Sequence, residues 1–127
     1  MRIEFAGALY HFTFTVGELL LSQTLERIKA LVSAGNVRIS EHGYGELASD
    51  NLSAREIIQG LESAILVEDY PAFHKGPCVL VLQREMNGGP VHAVWGIPKN
   101  SDGPAVLVTA YRPDPPRWDE SFTVRAK

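Results

Sequence analysis

The 127-residue chain has 12 Lys and Arg against 15 Asp and Glu, a net charge of −3; no long-range basic field steers it onto a polyanion, although a local basic groove stays open to it. Its single cysteine, Cys78, excludes an internal disulfide and with it the disulfide-stapled secreted domains. The 45% hydrophobic and 21% charged shares suit a soluble chain with one core, no run approaches the ~18 apolar residues of a membrane span, and Met1–Phe5 lacks a leader pattern, so a cytoplasmic location is expected.

Residues 1–20 read as an N-terminal extension and 21–127 as a single α+β domain. Tyr10, Phe12, Phe14 and Val16 alternate with His11, Thr13 and Thr15, the period of a half-buried strand. From Leu21 the period becomes helical: Leu21, Leu25, Ile28 and Val32 share a face, and Gly35 is placed for a left-handed cap. Val37-Arg38-Ile39 is short and extended. Ser40 caps a second helix carrying Glu41, His42, Tyr44 and Leu47.

Ser53 and Glu56 have capping-box spacing, with Leu52 and Ile57 as the flanking staple, so a third helix runs from Ser53 to about Glu62. Strands follow at 65–69, 78–84, 91–97 and 105–111, separated by the Tyr70–Pro77 loop, Asn87-Gly88 and the 100–104 turn cluster. Helices first and consecutive strands after them predict N-terminal helices packed on a four- to five-stranded antiparallel sheet.

If Asn87-Gly88 is a two-residue turn, Gln83 faces His92 and Arg84 faces Val91. Val79, Val81 and Gln83 then share a face with His92 and Val94, and Leu80, Leu82 and Arg84 with Val91, Ala93 and Trp95; a one-residue bulge swaps the faces. Both faces are largely apolar, so the sheet is expected to be covered on much of both sides.

His92 is either a packed histidine satisfied by a neighbour or a general acid–base group, because imidazole titrates nearest neutral pH. His42, near a helix start, has the same two readings. Tyr111 is a packing anchor or a helper beside the site. Arg38, Lys75, Arg84, Arg112 and Arg117 are surface charges or phosphate contacts. The four histidines lack close His or Cys ligand spacing, so no metal site is expected, and no cofactor-binding motif is present. Cys78 opens an apolar strand and reads as core.

The ordered set Arg38-Ile39-Ser40-Glu41-His42, Glu68-Asp69-Tyr70-Pro71, Gly76 to Leu82, Pro90 to Gly96 and Val108 to Pro115 resembles a small bacterial family. Its members are known only as a domain of unknown function, are often encoded beside a zinc-binding antitoxin of the MqsA (YgiT-type) class, and are regarded as distant relatives of RelE-like toxins. The resemblance covers about Thr24 to Phe122 and leaves out residues 1 to about 20, which can supply an extra strand, a partner-binding arm or a misassigned start.

The resemblance implies a RelE-like fold whose concave sheet face binds RNA, and a cognate antitoxin as partner. It places His42, His92 and Tyr111 at the family's recurring histidines and tyrosine. The expectation is a metal-independent ribonuclease with those three in catalysis and Arg38, Lys75, Arg84 and Arg112 on phosphate. The alternative is a non-enzymatic module that binds a partner chain by strand addition through Tyr10–Val16 or a sheet edge.

Overall fold

In the computed structural model, which describes residues 22–126 and the backbone of 2–5 and 8–11, the helices begin at side-chain caps. The Ser22 hydroxyl accepts from the Leu25 N–H at 3.1 Å and opens α1 (Gln23–Ser33). Gly35, at φ +77°, ends it: its N–H donates to the Val32 carbonyl and that of Asn36 to Leu31, the paired bonds of a left-handed helix stop. Leu25 and Ile28 are buried by this helix; Leu21, expected on the same face, lies outside the described residues.

Ser40 caps α2 (Glu41–Ser49) by accepting from the Gly43 N–H, and its own hydroxyl donates to the Val108 carbonyl at 2.9 Å, tying the helix start to the sheet. Ser53 caps α3 (Ala54–Gly60), which continues as a single 3-10 turn over Leu61–Ser63. The Glu56 carboxylate accepts from the Met86 N–H at 2.9 Å, so this capping-spacing residue also anchors a distant turn.

Backbone hairpin β1 (Arg2–Phe5) and β2 (Ala8–His11) forms a separate two-stranded sheet. The expected strand over Tyr10–Val16 overlaps β2 at Tyr10 and His11; its remainder lies outside the described residues. The main sheet contains β3 (Val37–Ile39), β4 (Ile65–Tyr70), β5 (Cys78–Arg84), β6 (Pro90–Gly96) and β7 (Ala105–Tyr111), in the order β3-β7-β6-β5-β4. The fold is α+β: the described residues form three helices and a mostly antiparallel five-stranded sheet, with β3 between α1 and α2 and the other four strands after the helices. Only β3 departs from the antiparallel expectation, pairing parallel to β7, because α2, α3 and the β4–β6 meander intervene before β7 returns beside it.

The β5–β6 register corrects the expected one. Gln83 lies opposite Val91 and Leu82 opposite His92. Met86, Asn87 and Gly88 form a three-residue loop: Glu85 N–H donates to the Gly89 carbonyl, Gly88 N–H donates to Glu85, and Gly88 takes φ +88°. The extra loop residue exchanges the faces of the two strands relative to each other. Val79, Val81 and Gln83 now share the helix-covered face with Val91, Ala93 and Trp95, and His92 and Val94 join Leu80 and Leu82 on the other.

The main core lies under the helices, where Ile28, Leu47, Ile57 and Leu61 meet Val79, Val81, Ala93, Trp95 and Leu107. Gln83, 2% exposed, donates to the Ile57 carbonyl at 2.7 Å and accepts from Trp95 Nε1 at 3.1 Å, so this core contains one satisfied polar bridge. A second cluster occupies the opposite face: Trp118 packs on Val67, Leu80 and Leu82, with Val94 and Phe122 beside them. The C-terminal segment thus covers part of that face and, among the described residues, leaves the rest uncovered.

Candidate functional site

Alternation along β3 turns Val37 and Ile39 toward the main core and puts Arg38 on the opposite face. There, where the C-terminal segment does not reach, lies a cavity of about 430 Å³. Its floor is apolar, with Val94, Val106 and Val108 from β6 and β7. Arg38 stands on one side, and Phe73 and Lys75 come from the loop after β4.

Gly76 shapes that loop. It is buried, at φ +126°, and a Cβ on it would lie 2.1 Å from the Ile97 carbonyl oxygen, so no other residue fits without moving the backbone. Its N–H donates to the Phe73 carbonyl at 2.9 Å, and the Lys99 N–H donates to Lys75 at 3.2 Å. These bonds hold Phe73 and Lys75 at the cavity wall. The ring of His74, an exposed residue, lies 4.5 Å from that of Phe73, which places an imidazole on the same loop.

Two of the four cations expected on phosphate, Arg38 and Lys75, therefore flank one cavity. The other two are elsewhere. Arg112 grips Glu85 with two bonds, Nε to Oε2 at 3.0 Å and Nη2 to Oε1 at 2.8 Å, and also donates to the Asp50 carbonyl. That fork joins the end of β7 to α2 and to the β5–β6 turn, and the guanidinium holds the Glu85 carboxyl below its ordinary range. Arg84 is exposed at the hairpin end and donates to the Gly88 carbonyl. Arg117 contacts Asp114 at 3.6 Å in the solvent. Cys78 lines the cavity, but burial first and the nearby Asp69 second push its thiol up to about 11, which keeps it protonated and a poor nucleophile at neutral pH.

The three residues expected in catalysis separate into two places. His42 sits in the first turn of α2, 67% exposed, with Nε2 3.3 Å from Glu46 Oε1. His92 is wholly buried under the C-terminal segment. The ring packs edge-on against Trp118, with centroids 4.3 Å apart, and Nε2 donates to the Phe122 carbonyl at 2.6 Å. Nδ1 is buried and meets no hydrogen-bond partner among the described residues. Burial lowers the affinity of this ring for a proton, against the Phe122 carbonyl and the nearby Glu68, which favour it.

Tyr111 lies beside His92 at 5.6 Å between centroids, and burial raises its phenol above the ordinary range. The structure thus brings His92 and Tyr111 together across the β6–β7 pair. It does not form the single open hollow containing both His42 and His92, since one imidazole is in solvent and the other is sealed.

Sequence reasoning missed Glu68, Arg125, Trp118 and Phe122. Glu68, 4% exposed, accepts two bonds from the Arg125 guanidinium, Nε at 2.9 Å and Nη2 at 3.0 Å, and Arg125 also stacks over Trp118 at 4.9 Å. The one available signal was the double apolar face of β5 and β6, which demands a cover on each side; Trp118 and Phe122 supply the second. Phe73 and His74 carried no periodic signal, being in a loop.

Among the described residues, no group of three or more His, Cys, Asp or Glu side chains converges in a way that could hold a metal ion. No helix among them is long and apolar enough to cross a membrane. Comparison with curated proteins and with solved structures found no match. A family model described as a domain of unknown function matches residues 39–112, more than half of the chain and the whole span from the end of β3 to the residue after β7; the chain belongs to that family, DUF4258.

Proposed function

We propose that the protein is an endoribonuclease acting as the toxin of a type II toxin–antitoxin pair, with RNA lying across the open part of the sheet face. One observation carries the reading: Arg38 and Lys75 flank an apolar cavity that also has an aromatic wall, Phe73. An unpaired base fits an apolar recess with an aromatic side chain, and its phosphate fits paired cations; this is the usual division of labour in single-strand recognition. The net negative charge places that basic patch in a local setting, suited to a substrate delivered at short range. The likeness to RelE-like toxins and the zinc-binding antitoxin partner follow from the family resemblance, by analogy.

The chemistry is metal-independent transfer. A base takes the proton of a ribose 2′-hydroxyl, the 2′-oxygen bonds to the adjacent phosphorus, the bond from phosphorus to the 5′-oxygen breaks, and an acid protonates that oxygen. Arg38 and Lys75 stabilise the charge that gathers on the phosphoryl oxygens. His74 is the imidazole on the cavity's own loop, and His92 with Tyr111 lies farther along the same face.

Incubating the purified protein with single-stranded RNA tests the activity. Fragments ending in a 2′,3′-cyclic phosphate, produced by the native protein and lost in Arg38→Ala plus Lys75→Ala, are the expected result. Intact RNA with the native protein, together with unimpaired growth of cells expressing it, would overturn the proposal.

A second reading has its own support. β4 is an outer strand of the main sheet, and Ile65 at its start is 55% exposed, which suits strand addition by a partner chain. A stoichiometric protein partner recovered from cells, with no RNA cleavage, favours that module.

A further inference from the structure

Residues 114–126 fold over the sheet as a small strap. After a 3-10 turn at Pro115–Arg117, Trp118 pairs with Arg125, and two backbone bonds of 2.8 Å close the hairpin, Asp119 N–H to Val124 and Ala126 N–H to Arg117. The strap therefore has internal bonds that do not depend on the sheet. It holds the sheet through three kinds of contact: the Trp118 and Phe122 rings on Val67, Leu80 and Leu82, the Arg125–Glu68 ion pair, and the Phe122 carbonyl on His92.

Three observations set this cover apart from ordinary packing. The family match ends at Arg112, so the strap lies outside the matched family core, whereas Glu68, His92 and Tyr111 lie inside it. Phe122, whose carbonyl receives His92, holds φ +59°, a left-handed conformation unfavourable to a residue with a Cβ. His92 Nδ1 is buried without a partner among the described residues, and a satisfied structural histidine has no need of such an atom.

Geometry joins this covered patch to the cavity. His92 and Val94 are two residues apart on β6 and so point to the same face; Val94 packs beside Trp118 and also lines the cavity. Trp118 of the strap packs where the two patches meet, at Val94.

We propose that the strap is a detachable cover over a proton-transfer site formed by Glu68, His92 and Tyr111, and that its release merges this site with the Arg38–Lys75 cavity into one RNA groove. The inference rests on the ribonuclease reading for its substrate, but release of the strap stands apart from it. With the cover off, His92 Nδ1 is the atom that accepts the 2′-hydroxyl proton. The Tyr111 hydroxyl gives its proton to the departing 5′-oxygen, and the imidazolium then restores the phenol. Glu68, freed from Arg125, stabilises the charged ring in between.

Native-state hydrogen exchange on the full chain tests release without RNA. The amides of Asp119 and Ala126 are expected to exchange at least tenfold faster than those of Val81 and Ala93, and faster again, roughly tenfold, in Arg125→Ala with the sheet unchanged. Exchange of the strap at the same rate as the sheet overturns the proposal. A short 2′-O-methylated oligoribonucleotide then tests the joining: it is expected to shift the His92 ring resonances and speed strap exchange. A probe that protects only the cavity amides, Gly76 and Ile97, overturns the joining while leaving the cavity reading intact. A probe that does not bind at all defeats the RNA reading and the joining with it, whereas the exchange of the free protein still decides whether the strap detaches.

Discussion

His92 Nε2 donates to the Phe122 carbonyl across 2.6 Å, which puts a proton on Nε2 and pins the C-terminal segment to the middle of β6. That bond ties the segment to the sheet face, and burial of the ring beneath it sets the acid behaviour of the protein.

Burial lowers the His92 pKa from 6.5, so the unfolded chain binds a proton that the native state refuses. The stability due to the neutral ring is complete above about pH 6.5 and is lost as pH falls below it toward the depressed native value. Urea denaturation at about pH 7.5 and about pH 5.5 is expected to show a loss that is smaller in His92→Phe. At the higher pH that variant is expected to cost no more than ~1 kcal/mol, because the ring packing is kept and one hydrogen bond is lost.

Gln83→Leu removes the partner of both the Ile57 carbonyl and Trp95 Nε1 in the main core. Leaving two buried polar groups unmatched is expected to cost about 2–4 kcal/mol in urea denaturation. An unchanged midpoint would mean that the bridge contributes nothing.

Gly76→Ala has no room for its methyl group against the Ile97 carbonyl. The variant is expected to lower the melting temperature and to weaken RNA binding, because the same turn carries Phe73 and Lys75. Binding that stays normal in a destabilised variant would separate this loop from the site.

Arg112→Ala releases Glu85 and Asp50 but touches no part of the cavity. It is expected to lower the melting temperature while leaving RNA affinity within about twofold, the opposite pattern to Arg38→Ala. A loss of affinity as large as that of Arg38→Ala would return Arg112 to the phosphate contacts.

Much of the architecture was legible because it rests on local signals. The Ser40 and Ser53 caps, the Gly35 helix stop and the bounds of β5 and β7 each depend on a few adjacent residues. What failed was a question of one residue. Asn87-Gly88 reads equally well as a two-residue turn or as the end of a three-residue loop, and that difference turned His92 from the Gln83 side to the Leu82 side.

The site was legible only in part for the opposite reason. Arg38 and Lys75 meet across 37 residues of sequence because β3 returns beside β7, a pairing with no local signature. Nor does the sequence say that Trp118 and Phe122 close over His92: a lone aromatic in an irregular segment has no period to reveal its face.

Fluorescence anisotropy of a labelled single-stranded oligoribonucleotide, titrated at about 50 and about 200 mM salt, tests the central claim most directly. The double variant Arg38→Ala plus Lys75→Ala is expected to bind at least tenfold more weakly, with a salt slope shallower by about 1.4, the value for two lost phosphate contacts on a single strand. Equal affinity and equal slope in the native protein and the variant would contradict an RNA site at this cavity.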